Sequence, residues 1–136
     1  MADLAWTANT ILVVSGNTAI RQATETISEG DWVYEVSRGL TVGLASNDDA
    51  DEATVIGQAL NDAVGGKDLA VALDDCVVNA TATSAITTGA WYVLSAAGAT
   101  SLVADQTSGD QVTLVARGTA SGQYKINIVN TGLAVP

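Results

Sequence analysis

The sequence predicts an all-β protein: an antiparallel sandwich or barrel-like domain built from two similar β units, with little helix. Three observations lead there. Apolar residues recur with period two in short runs, the mark of half-buried strands. Gly- and Asn-containing turns separate those runs at regular 8–12-residue intervals, as in sandwiches and barrels. The chain also repeats itself. Its 136 residues contain 23 Ala, 16 Val and 16 Thr but no Phe, with 13 Gly and one Pro. Val and Thr suit a pleated, half-buried surface, and 48% apolar residues argue against disorder.

At a shift of 59, Ile27 falls on Ile86, Gly30 on Gly89 and Trp32 on Trp91. Downstream, Val55-Ile56-Gly57-Gln58-Ala59 falls on Leu114-Val115-Ala116-Arg117-Gly118. With a three-residue deletion, the segment from Gly66 to Leu73 falls on Gly122 to Val129. A repeated unit of about 45 residues points to duplicated architecture. The segments are an N-terminal arm and hairpin (1–26), a first β unit (27–75), and a connector with a second β unit (76–136), together forming one domain.

Taken in order, residues 10–14 and 18–26 read as a hairpin about a Gly16-Asn17 turn. Ser28 to Asp31 turns into a strand with Trp32, Tyr34 and Val36 on one face. After Arg38-Gly39, Leu40, Val42 and Leu44 share a face. Ser46 to Glu52 reads as a polar loop or as the acidic first turn of a short helix capped by Ser46 or Asn47. The strand character of Ala53 to Gly57, and the clean alternation of its counterpart from Gln111 to Ala116, favour a strand at 54–60. Val64 to Lys67 forms a hairpin turn before a strand with Leu69, Val71 and Leu73 on one face. Residues 77–88 read as a Thr/Ala-rich connector. Strands at 90–95, 99–104, 111–117 and 123–129 repeat the scheme, and Gly132 to Pro136 reads as a tail.

Composition excludes several function classes. There is no His, the commonest general base and metal ligand. Neither Ser15 nor Ser121 has a base to activate it. Gly65-Gly66-Lys67 is followed by Asp68, which breaks the phosphate-loop pattern. Asp74 and Asp75 are strand neighbours pointing to opposite faces, not a shared acid/base pair. Cys76 has no disulfide partner and lies in an apolar run beside two acids, the setting of an inert buried thiol. The reading is of a non-enzyme without a cofactor.

Charge is lopsided. Of the net charge of −10, residues 1–75 carry all of it, with 13 acids against 3 bases, and residues 76–136 balance. Five scattered bases cannot neutralise a nucleic-acid backbone or an anionic membrane. The acidic half suits a basic protein surface or keeps a crowded protein soluble. Asp48, Asp49, Asp51 and Glu52 form the one dense cluster of ligand atoms. They lack the spacing of a helix–loop–helix calcium loop, and a solvated loop is the simpler reading, with a divalent ion the alternative. The N-terminus has neither the basic nor the apolar region of a signal peptide, so synthesis in the cytoplasm without export is expected.

Three phrases carry a resemblance. Glu29-Gly30-Asp31-Trp32-Val33-Tyr34 is similar to a Gly-Asp-x-Val turn and strand. Leu40 to Ala45, an Asp/Ala-rich stretch and Ile56-Gly57-Gln58-Ala59-Leu60 resemble a Gly-x-Ala-x-x-x-Ala segment. Gly66 to Leu73 is similar to a Gly-x-x-Val-x-Val strand. Together they resemble the capsid decoration, or cement, proteins of tailed bacteriophages, over residues 27–75 and, through the repeat, 86–130. The resemblance implies a virion protein without an active site, made in the host cytoplasm. It would bind the outside of an assembled head, contact the major capsid protein, and often form homotrimers. Residues 1–26 have no counterpart in that pattern. Alternatives are another virion part (a head-fibre base, or a head–tail or tail component) or an extracellular adhesin or carbohydrate-binding β module.

The expected capsid contacts are Leu4 and Trp6, in an arm outside the repeat, and Asp48, Asp49, Asp51 and Glu52. Trp32 and Trp91, at equivalent repeat positions, are expected to be buried core anchors.

Overall fold

The structure is a computed structural model that describes residues 11–37, 40–80, 86–102, 106–120 and 122–136. Eleven strands account for nearly all of its regular structure: β1 (Ile11–Ser15), β2 (Thr18–Ala23), β3 (Trp32–Ser37), β4 (Thr41–Leu44), β5 (Val55–Ala59), β6 (Asp68–Leu73), β7 (Val77–Ala80), β8 (Trp91–Leu94), β9 (Thr100–Leu102), β10 (Gln111–Ala120) and β11 (Gln123–Ala134). The one helical element among them is a single 3₁₀ turn, Ala96–Gly98. The all-β class read from the sequence is therefore correct. The segment before β5 is a series of turns, and β5 lies within the expected 54–60 strand.

The duplication appears directly in the topology. One sheet is a closed barrel in the order β2-β4-β3-β5-β6, and the other is an open sheet in the order β1-β7-β11-β10-β8-β9. Strands β4-β3-β5-β6-β2 of the first unit and β9-β8-β10-β11-β7 of the second run in the same order. The pairing corrects one detail of the repeat. Ala59 pairs with Val71, and its counterpart Gly118 pairs with Tyr124. Val71 therefore corresponds to Tyr124, not to Asn127 as a three-residue deletion required.

What distinguishes the units is the last neighbour of one strand. β2 bridges β6 and β4, and its parallel pairing with β4 (Gln22↔Thr41, Ala23↔Val42) closes the barrel. Its equivalent, β7, bridges β11 and β1 instead. With β1 on that edge, the second unit stays open and β9 is left as an edge strand.

Three expectations from the sequence are corrected here. β1 and β2 are not a hairpin: β1 joins the open sheet and β2 the barrel. The Gly16-Asn17 turn is a crossing point, where Asn17 O accepts the Leu73 N–H at 3.0 Å and the Cys76 thiol at 2.8 Å. The segment from residue 77 is not only a connector, because Val77–Ala80 forms β7 in the middle of the open sheet. The C-terminal tail is likewise a strand end. β11 runs to Ala134, and Val135 exchanges backbone hydrogen bonds with Gly109 and Asp110 at 2.9 and 2.8 Å.

Two cores hold the body together. Ala23, Ile27, Val33, Val42, Ala59, Leu69 and Val71 fill the barrel. The second core lies between the units. Trp32, Val55 and Ala72 from the barrel wall pack there against Tyr92, Leu94, Val115, Tyr124 and Ile126 from the open sheet. Burial of a large apolar side chain contributes about 1.5–3 kcal/mol, so this shared core fuses the units. Polar groups within it are paired. The Trp32 indole N–H donates to Thr100 Oγ1 at 2.6 Å. The Tyr124 hydroxyl donates to Gln58 Oε1, and Gln58 Nε2 donates to Gly30 O at 3.0 Å. Burial drives the Tyr124 hydroxyl strongly upward in pKa, so it stays a donor.

Candidate functional site: an acidic groove on the barrel wall

Strand alternation sends Trp32, Tyr34 and Val36 of β3 to the outside of the barrel, as the sequence pattern requires. The second unit covers Trp32 completely and Tyr34 in part, and leaves Val36 49% exposed. The loop from Ser46 to Thr54 rises beside this uncovered stretch. Its shape comes from local hydrogen bonds. Asp49 Oδ1 accepts the N–H groups of Asp51 and Glu52 at 2.8 and 3.3 Å, and Ser46 N–H donates to Glu52 O at 3.1 Å. Asx-type bonding of this kind competes with helix, which explains the turns seen in place of a capped helix.

The result is a groove of about 570 Å³ lined by Tyr34, Glu35, Val36, Asp49, Asp51, Glu52 and Thr54. A neighbouring depression of about 280 Å³ is lined by Glu25, Leu44, Ser46, Asp48, Glu52, Ala96 and Ala97. Among the described residues, no basic side chain lines either one. Partial loss of solvent raises the pKa of the Glu52 carboxyl, and the charges of Asp49, Asp48 and Glu25 add to the shift. The Tyr34 hydroxyl is raised by desolvation and then by Glu52, Glu25, Asp49 and Asp51. Such a surface attracts cations and basic protein surfaces. Among the described residues, no three acidic, Cys or His side chains converge as metal ligands.

The four acids singled out from the sequence, Asp48, Asp49, Asp51 and Glu52, therefore sit together. Tyr34, Glu35 and Glu25 join them through the fold and were missed. Glu25 reaches in to accept the Leu44 N–H at 3.1 Å. The only local signal for Tyr34 was its place on the outward face of β3. Leu4 and Trp6 lie outside the described residues.

Trp32 is the buried anchor expected of it. Trp91 is not. It is only half-buried, with the Arg117 guanidinium 5.6 Å from its ring centroid. The reason is geometric. The barrel turns its outer face, with Trp32, towards the shared core, whereas the open sheet turns its inner face, with Tyr92 and Leu94, towards it. The outward position that is buried in one unit is left facing away in the other.

The remaining candidates are structural. Asp74 Oδ1 accepts the Ile128 N–H at 2.9 Å, and Asp75 pairs with Lys125 at 3.7 Å across an exposed surface. Cys76 is buried, and burial raises its thiol pKa, as for an inert cysteine. Lys67 N–H closes the Val64–Lys67 turn at 3.1 Å. No helix among the described residues is long and apolar enough to cross a membrane. No protein-family model matches the chain, and no curated protein matches it significantly.

Proposed function

We propose that this chain is a structural virion protein. It binds the outside of an assembled phage capsid and stabilises the shell by bridging subunits of the major capsid protein. In this reading it has no enzymatic activity and no cofactor. It works as a homotrimer, and linked contacts across subunit joints give avidity without chemistry. The observation that supports this best is how the side chains are used. The buried polar groups lock two β units together, and the acids are displayed on the outer wall. The resemblance of residues 27–75 and 86–130 to cement proteins points the same way.

Attachment is assigned to the acid-lined wall carrying Asp48, Asp49, Asp51 and Glu52, and to the arm with Leu4 and Trp6. An aromatic seated in a pocket is a frequent binding anchor. The test is co-sedimentation with undecorated heads at limiting protein. Wild-type protein should pellet with the heads and raise their resistance to heat. Deletion of residues 1–9 should leave the oligomer intact and reduce occupancy. Equal occupancy by the truncated protein would remove the arm from the contact. Failure of the full chain to pellet at all would defeat the reading.

A further inference from the structure

The row Trp32–Gln58–Ala72 on the barrel wall is fully buried under the second unit. Its counterpart in the second unit is Trp91–Arg117–Lys125, joined by the same strand pairings. That row points away from the shared core. Leu114 and Val129 extend it as a paired apolar step, with Val129 42% exposed. Val93, which pairs with Leu114, is already fully buried, so the part of this face open to a partner carries Trp91, Val129, Arg117 and Lys125, with the aromatic and Arg typical of interface centres. The same face of the other unit is already an interface.

We propose that this outer face docks on the acidic groove of a second copy of the chain. Two features of the fold select that occupant. First, the groove continues the wall that the second unit already covers: Trp32 lies beneath the unit, and Tyr34 and Val36 emerge beyond its edge. Second, the charges are complementary. Arg117 and Lys125 stand on one surface, and Asp49, Asp51 and Glu52 on the other, with no base among the described residues that line the groove. Lys125 meets Asp75 at 3.7 Å, but both are well exposed, so that pair is weak and free to exchange. The two surfaces lie on different units, so the contact is head-to-tail and generates a ring where its rotation closes. In a closed ring Asp49, Asp51 and Glu52 serve the joint between copies instead of the shell, and Asp48, in the neighbouring depression, stays outside that contact and is left with the arm for the capsid.

The test uses the purified full chain without capsids, so its outcome is independent of the virion reading. Sedimentation velocity at tens of micromolar and low salt should show species heavier than monomer. These should dissociate near 1 M salt, where the screening length falls to about 3 Å. Arg117→Glu should weaken association by about tenfold or more, and so should the double change Asp51→Lys with Glu52→Lys. Both sites are at the surface, so unchanged far-UV circular dichroism is expected for each variant. Mixing the two variants in equal amounts should restore species heavier than monomer, mixed dimers at the least, because each joint between unlike variants pairs opposite charges, whereas a three-membered ring retains one like-charged joint. A wild-type chain that stays monomeric at all salts would overturn the proposal. So would an Arg117→Glu protein that associates like wild type, or a mixture that stays monomeric.

Discussion

The barrel and the open sheet share one strand order, yet only the barrel closes. The difference lies in one strand edge: β2 offers its second edge to β4, and β7 offers the equivalent edge to β1. That choice reverses what each unit buries. The closed unit has an inner core of its own and needs cover only for its outer wall. The open unit has no closed interior, so its inner face becomes the cover for that wall. Duplicated sequence therefore specifies strand order locally, while the partner of a single edge decides which face of each copy meets solvent.

The sharpest way to break this comparison is to truncate the two equivalent tryptophans. Trp32→Ala removes a fully buried ring and its bond to Thr100, and should cost about 3–5 kcal/mol. Trp91→Ala removes a half-buried ring and a stacked Arg117, and should cost about 1–2 kcal/mol. Denaturant unfolding of both variants measures the difference. In a Trp6→Phe background, iodide should quench Trp91 and spare Trp32. Equal costs, or equal quenching, would mean that the two faces are covered alike.

A second pair of changes tests the repeat position by position. Gly57 corresponds to Ala116, and Gly118 corresponds to Ala59, so each unit carries alanine where the other needs glycine. A Cβ on Gly57 would lie 2.3 Å from Ala72 O, and one on Gly118 would lie 1.9 Å from Thr87 O. Both clashes are with backbone, which cannot swing aside. Gly57→Ala and Gly118→Ala should each destabilise by about 1–3 kcal/mol, although each introduces the residue its twin already has. Thermal unfolding of the two variants is the check. A neutral result at either site would show that the strand there is freer to shift than its packing implies.

Next in size is the polar lock between the units. Tyr124→Phe keeps the ring and removes the donor to Gln58 Oε1, leaving that buried oxygen without it. A loss of about 1–2 kcal/mol is expected. Pairing this change with Gln58→Leu in a double-mutant cycle should show coupling. Strict additivity would separate the two groups energetically.

Much of this was legible from the chain, and the misses share a cause. Period-two alternation marks β3, β4 and β6, and the repeat carries the scheme to β5 and to β8 to β11. The shift of 59 also carries β2 onto β7, but Thr18–Ala23 and Val77–Ala80 have little identity, so β7 was read as connector. The Gly16-Asn17 turn looked like a hairpin since sequential strands usually pair. Nothing local reveals that β1 and β2 enter different sheets. Trp91 departs from its expected burial for the same reason: a repeat position states which way a side chain points, not what lies in front of it. The acidic loop was visible as composition, whereas Tyr34, Glu35 and Glu25 joined it only through the fold.

The smallest expected effect concerns the groove on the barrel wall. Glu52 has a raised pKa, first from lost solvent and then from its acidic neighbours, so the folded protein holds its proton more tightly than the unfolded chain does. The stability linked to that proton is fully present below the unfolded value of about 4.3 and is lost as pH rises through the folded one. Asp31, raised mainly by burial, acts in the same direction. Stability should therefore increase as the pH is lowered from neutral towards that window. Glu52→Gln removes the charge permanently. It should raise the melting midpoint at pH 7, and the gain should vanish near pH 4 and shrink in high salt. Thermal melts of both proteins from pH 4 to pH 8 test the slope directly. A lower midpoint for Glu52→Gln at neutral pH would mean that the groove holds this carboxylate by favourable contacts. Repulsion would then not be what sets the groove apart from the open sheet.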